Sequence, residues 1–160
     1  MIHRQERPFT VTFLYILQAF LSVGAIGGGL ALLVDPSGDM MGIPSSVLES
    51  TIFPDFLIPG ILLLVVFGLL PLLILYSLIK RPQWKWADRL NPFKELHSSW
   101  ALSLYIGFGQ IIWIMVQTYM MNAVSIVHVF YTCLGLLIQA ITLLPSVQKF
   151  FVLDGRGERS

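Results

Sequence analysis

Four long apolar runs, separated by short polar or charged segments, constrain this chain more than any other feature. They cover residues 9–34, 56–79, 100–121 and 124–144. A helix of about 20 residues, rising about 1.5 Å per residue, crosses the hydrocarbon core of a bilayer. The sequence therefore predicts an all-α membrane protein, a single transmembrane domain over residues 1–160 in which four transmembrane helices form a bundle.

The charged residues between the runs predict how the bundle lies in the membrane. All ten Lys and Arg residues fall in the two tails and in the 80–97 segment, whereas the 35–55 segment has four acidic residues and no basic one. Because basic residues favour the cytoplasmic side, both termini and the 80–97 segment are predicted to be cytoplasmic. The 35–55 segment then faces outward from a bacterial cytoplasmic (inner) membrane.

Two connecting segments are expected to contain short interfacial helices. In the 35–55 segment, Ser46 and Glu49 have the spacing of a capping box, and Asp55 is placed to cap the second span. In the 82–97 segment, tryptophans alternate with basic residues, which is typical of an anchor at the membrane surface. The residues expected to contact anionic lipid headgroups are Lys80, Arg81, Lys85 and Arg89.

Glycine and proline distinguish the first two spans. Gly24 and Gly28 have a spacing that lets helices approach closely, either inside the bundle or between copies in a homo-oligomer. Pro71 lies deep in the second span, where it removes the backbone hydrogen bond to the carbonyl of Phe67. The sequence therefore predicts a kink beside Gly68.

Spans three and four each carry one face of polar or small residues. Polar groups inside a membrane are costly, so their positions are informative. A tight turn near residues 122–123 packs the two spans antiparallel and brings the two faces together. The predicted pairs are Gln117 with His128, Gln110 with Gly135, and Ser103 with Thr142.

Two interpretations of these polar faces are open. In one, the side chains hydrogen-bond between helices and stabilise the bundle, at about 0.6 kcal/mol for each bond. In the other, they line a small polar cavity that opens outward near His128. On the second interpretation the predicted ligand-binding residues are Gln18, Pro71, Gln110, Gln117, His128 and Gln139.

Several kinds of chemistry are excluded by what the sequence lacks. Cys133 is the single cysteine, so neither an intrachain disulfide nor a Cys-x-x-Cys redox site is possible. His128 has no second ligand at metal-binding spacing, and the spans lack the carboxylates that drive proton-coupled transport. No catalytic motif occurs. We therefore predict a protein that is not an enzyme, with no catalytic residue, metal, cofactor or nucleic-acid partner.

Three stretches of the chain carry a resemblance. Residues 53–60 read FPDFLIPG, Trp84 and Trp86 lie among basic residues, and residues 143–147 read LLPSV. Together they resemble small uncharacterised four-span integral membrane proteins of bacteria. The resemblance implies bacterial origin and no particular chemistry. A looser likeness to the DoxX-like and sterol-binding four-helix families concerns architecture alone.

Three functions follow from these observations. The first is a non-enzymatic bundle that binds a lipid-like or small apolar molecule, or serves as a partner membrane subunit. The second is a small-solute channel or transporter, built by homo-oligomerisation, with the polar faces as its path. The third is a lipid-modifying membrane enzyme that uses His128 and the outer acids. A closed apolar pocket with one mouth favours the first, and a continuous wet path favours the second.

Overall fold

The four apolar runs fold into four long helices, each long and apolar enough to cross a membrane. The computed structural model describes residues 6–49 and 51–153, which contain no β-strand. The long helices begin and end within two residues of the predicted spans, so the four predicted helices are confirmed. The helices are α1 (Phe9–Val34), α2 (Leu57–Lys80), α3 (Lys85–Leu90), α4 (Ser98–Met121), α5 (Ile126–Leu143) and α6 (Pro145–Phe150).

The long helices form a bundle with two distinct ends. Helix α1 packs against α2 and α5, and α4 packs against α5 along its length. Helix α4 contacts α2 mainly along the C-terminal part of α2, Leu70–Lys80. The start of α1 meets α6 at the end of the bundle that we call the tail end. Residues 35–49, 51–56 and 122–125 lie at the opposite end, which we call the loop end.

Glycines allow two helix pairs to touch through their backbones. A β-carbon at Gly29 of α1 would lie 2.9 Å from the backbone nitrogen of Leu64 in α2. A β-carbon at Gly107 of α4 would lie 3.1 Å from the carbonyl oxygen of Gly135 in α5. Both crossings are too close for any larger residue without a shift of one helix.

The glycine pair that the sequence singled out is used inside the bundle. Gly24 lies under the hydroxyl of Tyr131 in α5, and Gly28 faces the side chain of Leu63 in α2. Gly27, between them, faces open space, because a β-carbon there would have no described atom within 4 Å. Internal packing therefore accounts for the Gly24 and Gly28 spacing.

Helix α2 is irregular just before Pro71. Residues Leu63–Leu69 form a π-helical segment, in which backbone hydrogen bonds span five residues in place of four. Within it, the carbonyl of Gly68 accepts a hydrogen bond of 2.6 Å from Ser22 Oγ in α1. Beside Gly68, where the sequence predicts a kink, the helix thus has a widened turn to which α1 supplies a hydrogen bond.

The α4–α5 hairpin has the predicted register over most of its length. Asn122 ends α4 in the left-handed conformation, with φ of 46°. The hydroxyls of Ser103 and Thr142 lie 3.1 Å apart. The side chain of Gln110 packs against Gly135, with its Cγ 3.3 Å from where a β-carbon would lie. Two of the three predicted pairs therefore meet.

The 35–56 segment crosses the loop end in two short turns of helix. The second turn begins after Pro44 with no side-chain cap. The capping box predicted between Ser46 and Glu49 is therefore wrong. The two turns are 3-10 helices, Asp39–Met41 and Ser45–Leu48.

At the tail end, residues after α5 are held between α2 and α4. Arg81 ends α2 in the left-handed conformation, and its Nη2 donates to the carbonyl of Phe150 at 2.8 Å. The guanidinium carbon also lies 4.2 Å and 4.8 Å from the ring centres of Phe150 and Phe151. The N–H of His97, before α4, donates to the carbonyl of Phe151 at 2.8 Å. Arg81 is therefore engaged within the protein.

The 82–97 segment contains the short helix α3 and then a turn. The rings of Tyr76, Trp84 and Trp86 stack in series, with centres 6.3 Å and 5.5 Å apart. Asn91 holds the turn, since its Nδ2 donates to a backbone carbonyl five residues later. Four basic side chains are exposed around this segment: Lys80, Lys85, Arg89 and Lys94.

Candidate functional site

The predicted polar residues form a hydrogen-bonded chain through the interior. Gln18 Nε2 in α1 donates to Ser103 Oγ in α4 at 2.9 Å, and Ser103 continues to Thr142 in α5. Thr142 Oγ1 donates to the carbonyl of Ile138, and Trp100 Nε1 donates to the carbonyl of Thr142, both at 2.7 Å. All these polar side chains are buried, so this part of the polar faces links three helices.

Two further glutamines lie on either side of the α4–α5 crossing. Gln139 packs against Gly107 and Gln110 packs against Gly135. Gln18 Oε1, Gln110 Oε1 and Gln139 Nε2 are buried, and no hydrogen-bond partner for them occurs in residues 6–49 and 51–153. Such atoms are costly in an apolar interior. In the described chain, the interior around these three glutamines is therefore the part of the polar faces where buried amide atoms lack hydrogen-bond partners.

The outermost predicted pair is not joined. His128 is buried in the first turn of α5, where its Nδ1 accepts from the N–H of Ser125 at 3.1 Å. The Ser125 hydroxyl lies 3.2 Å from the same nitrogen, so the imidazole completes a capping box. No hydrogen bond links His128 to Gln117 among the described residues. Gln117 faces the 35–56 segment instead.

The six predicted ligand-binding residues therefore fall in separate places. Three of them share the interior between α1, α4 and α5. Pro71 is buried in α2, two residues after the end of the π-helical segment, and the other two lie apart at the loop end. The interior group is Gln18, Gln110 and Gln139, and the loop-end residues are Gln117 and His128.

An apolar pocket of about 340 Å³ lies at the loop end, between α2, α4 and the 35–56 segment. The rings of Phe67 in α2 and Trp113 in α4 lie 5.7 Å apart, and the pocket begins beside this ring pair. Leu32 of α1 lies behind it. Pockets of this size accommodate small organic ligands. The other lining side chains include Val47, Leu48, Phe53, Phe56, Leu62, Val116 and Met120.

Polar groups are sparse on the pocket wall. The Thr51 hydroxyl donates to the carbonyl of Leu48 at 2.9 Å, so it is used within the wall. Gln117 is half-buried and contributes the one amide side chain of the wall among the described residues. Trp113 also lines the pocket, and its indole N–H has no partner in the described part of the chain. The pocket is therefore suited to an apolar group that carries little hydrogen-bonding capacity.

Around the pocket, the loop end is acidic. Glu49 and Asp55 directly follow and precede the lining residues Leu48 and Phe56. Asp55 Oδ1 accepts from the N–H of Leu57, the first residue of α2, at 2.9 Å. The carboxylate therefore lies at the N-terminus of α2 as predicted, one residue before Phe56 at the N-cap position. We call the four carboxylates of this segment the acidic rim: Asp35, Asp39, Glu49 and Asp55.

Asp35 organises the turn that leaves α1. Its Oδ1 accepts from the hydroxyl of Ser37 at 2.5 Å, and its Oδ2 accepts from the N–H of Met40 at 2.7 Å. The Ser37 hydroxyl, followed by the Met40 amide, lowers the pKa of the Asp35 carboxyl below its ordinary value. The rim is therefore negatively charged at this position at any physiological pH.

Sequence reasoning identified one residue of the pocket wall, Gln117. A signal for the rest is present in the sequence. Trp113, Gln117 and Met120 recur at helical spacing on one face of α4. The 35–56 segment, although it lies between two spans, contains Val47 and Phe53 among its apolar residues. Neither feature predicts a pocket by itself, because the pocket forms only where the segment packs against α4.

Within the described residues, no group of three His, Cys, Asp or Glu side chains is placed to hold a metal ion. No family model, curated protein or solved structure matches the chain. The function therefore has to be argued from the pocket and its surroundings.

Proposed function

We propose that the protein is a non-enzymatic, multi-pass membrane protein that binds a lipid-like or small apolar molecule in the loop-end pocket. The observation that carries this proposal is the pocket wall, which is apolar apart from Gln117 and Thr51. A pocket with such walls favours hydrocarbon over any hydrogen-bonding solute, because a polar solute would leave its bonds to water unreplaced.

In this proposal the tail end faces the cytoplasm of a bacterium and the acidic rim faces outward. Lys80, Lys85 and Arg89 are exposed at the tail end, where they contact anionic headgroups, and α3 lies at the membrane surface beside them. Arg81 is not part of this surface, because its guanidinium is engaged with Phe150. A partner subunit or a second copy of the chain remains compatible with these assignments.

The position of His128 supports a non-enzymatic role. Its Nδ1 is used by Ser125, and His128 is not among the described residues that line the pocket. A lipid-modifying reaction would need a general base or a nucleophile within hydrogen-bond reach of the bound molecule. The pocket wall offers an amide and a hydroxyl in its described part, and the Thr51 hydroxyl donates to the carbonyl of Leu48.

The proposal is tested by photo-crosslinking the purified protein with palmitic acid that carries a diazirine on its chain. We expect labelling in the peptide that contains Trp113 and Met120. Leu48→Trp, which fills the pocket, should reduce this labelling by about tenfold, corresponding to roughly 1.4 kcal/mol of lost affinity. Met115→Trp is the matched control, since Met115 is exposed on α4 and does not line the pocket. Equal labelling of wild type and Leu48→Trp would overturn the proposal.

A second candidate, passage of a small solute through an oligomer, is supported by the buried amide atoms of Gln18, Gln110 and Gln139 that lack partners in the described chain. Urea or glycerol uptake into proteoliposomes separates the two candidates. Uptake that Gln110→Leu abolishes would favour the solute path. Permeability equal to that of protein-free vesicles would exclude it.

A further inference from the structure

The pocket has an opening on the side of the bundle. Helices α1, α2, α4 and α5 contact one another in a ring, and the α2–α4 contact is confined mainly to the tail-end part of α2. Beyond the Phe67–Trp113 ring pair, toward the loop end, the two helices flank the pocket. Leu62 of α2 and Val116 of α4 both line the pocket, and they are 37% and 43% exposed. These two residues mark the side opening.

The side opening lies at the depth of hydrocarbon. Leu62 is the sixth residue of α2, and Val116 is the sixth from the end of α4. At about 1.5 Å per residue, both lie roughly 8 Å inside the helix ends. In a membrane, what contacts an apolar opening at this depth is a lipid chain.

On the aqueous side, the pocket is covered by the 35–56 segment. Ile43, Val47 and Phe53 of this segment line the pocket and are half-buried. The N–H of Phe56 donates to the carbonyl of Pro36 at 2.9 Å, and this hydrogen bond joins the two ends of the segment. A ligand that comes from water would have to displace this cover, whereas a ligand in the membrane would not.

The acidic rim adds a constraint on the headgroup. The 35–55 segment has four carboxylates and no Lys or Arg, and Glu49 and Asp55 are the sequence neighbours of the pocket-wall residues Leu48 and Phe56. A phosphate with net negative charge would be repelled here, and an ammonium group would be attracted. Discrimination by repulsion of the wrong partner is as effective as attraction of the right one.

We infer that the pocket holds one hydrocarbon chain of a phospholipid with an amine-bearing headgroup, which enters from the outer leaflet between α2 and α4. The inference rests on the proposed function and adds to it the route and the headgroup. Anionic phospholipids with the same chains are disfavoured by the acidic rim. The lipid is bound and is not chemically changed.

The headgroup is tested in nanodiscs of phosphatidylcholine that contain the full chain. Phosphatidylethanolamine and phosphatidylglycerol probes with identical diazirine-bearing chains are compared at equal concentration. We expect the ethanolamine probe to label the Trp113–Met120 region at least about threefold more than the glycerol probe. The double variant Glu49→Gln, Asp55→Asn should bring this ratio close to one, and Asn still caps α2 at position 55. Asp88→Asn makes the same kind of charge change at the exposed tail end and should leave the ratio unchanged.

The route is tested with single cysteines in a Cys133→Ser background. Met120→Cys, on the pocket wall, should resist a charged, water-soluble methanethiosulfonate reagent in nanodiscs. Ser45→Cys, exposed in the 35–56 segment, should react rapidly. If Met120→Cys does not fold, Val116→Cys at the side opening serves in its place. Reaction at the pocket wall as fast as at position 45 would overturn access from the membrane.

The outcomes separate this inference from the proposed function. Equal labelling by the two headgroups, when Leu48→Trp still prevents labelling, overturns the headgroup inference and leaves the pocket as a binding site. Labelling that Leu48→Trp does not reduce overturns both.

Discussion

Neighbouring glycines of α1 have very different surroundings. A β-carbon at Gly29 would lie 2.9 Å from the backbone nitrogen of Leu64 and 3.0 Å from the carbonyl oxygen of Gly60. These backbone atoms cannot move unless α2 moves. At Gly27 a β-carbon would meet no described atom within 4 Å. Because both glycines lie in the same helix, alanine changes their helix propensity alike, and a comparison isolates the packing.

We predict that Gly29→Ala lowers the free energy of unfolding by about 1 to 3 kcal/mol through overpacking. Gly27→Ala should leave it unchanged or raise it by up to about 1 kcal/mol through helix propensity. Unfolding by SDS titration in mixed micelles measures both values. Similar destabilisation by the two variants would mean that α1 and α2 do not cross at Gly29.

Helix α2 is an irregular helix that receives a stabilising hydrogen bond from a neighbouring helix. Pro71 cannot donate a backbone hydrogen bond, and the π-helical segment Leu63–Leu69 precedes it. Ser22 donates to the Gly68 carbonyl at 2.6 Å from the neighbouring helix. Ser77, further along α2, is also a buried serine, but its hydroxyl has no partner among the described residues. The two serines therefore form a matched pair.

We expect Ser22→Ala to lower the free energy of unfolding by roughly 0.6 to 1.7 kcal/mol, the range of hydrogen bonds between helices in membranes. Ser77→Ala should be neutral or slightly stabilising, since it removes a buried hydroxyl that makes no described bond. The same SDS titration measures this difference. If Ser77→Ala proved the more damaging, the bond from Ser22 would not be what stabilises the widened turn.

For the whole molecule, the proposed orientation makes a direct prediction. Green fluorescent protein fused after residue 160 should fluoresce, because it folds in the cytoplasm. Alkaline phosphatase fused after Pro44 should be active, and the same enzyme fused after Gln83 should be inactive, because it requires an oxidising compartment. Activities in the reverse pattern would place the acidic rim inside the cell and remove the basis for outer-leaflet access.

The whole-molecule features that sequence could predict are those that depend on periodicity and chain direction. Residue hydropathy located the four long helices to within two residues. A short turn near Asn122 was enough to bring Ser103 to Thr142 and Gln110 to Gly135. Such features need only helix geometry and the direction of the chain.

The features that sequence could not predict depend on competition between hydrogen-bond partners or on gaps between helices. His128 was expected to reach Gln117. Ser125 is only three residues away in the chain, and its backbone N–H donates to the imidazole of His128. The loop-end pocket exists because α2 and α4 flank a gap beyond Phe67 and Trp113. No pattern within either helix encodes a space between them.

The hydrogen bonds and ring contacts at the tail end have a consequence for the order in which the bundle assembles. Phe150 and Phe151 follow all four long helices in the chain, yet they contact Arg81 at the end of α2 and His97 before α4. A ribosome synthesises α2 and α4 before it reaches these phenylalanines. The contacts of Arg81 and His97 with these phenylalanines therefore form only after all four long helices have been synthesised, so the tail end of the bundle is the last part to close.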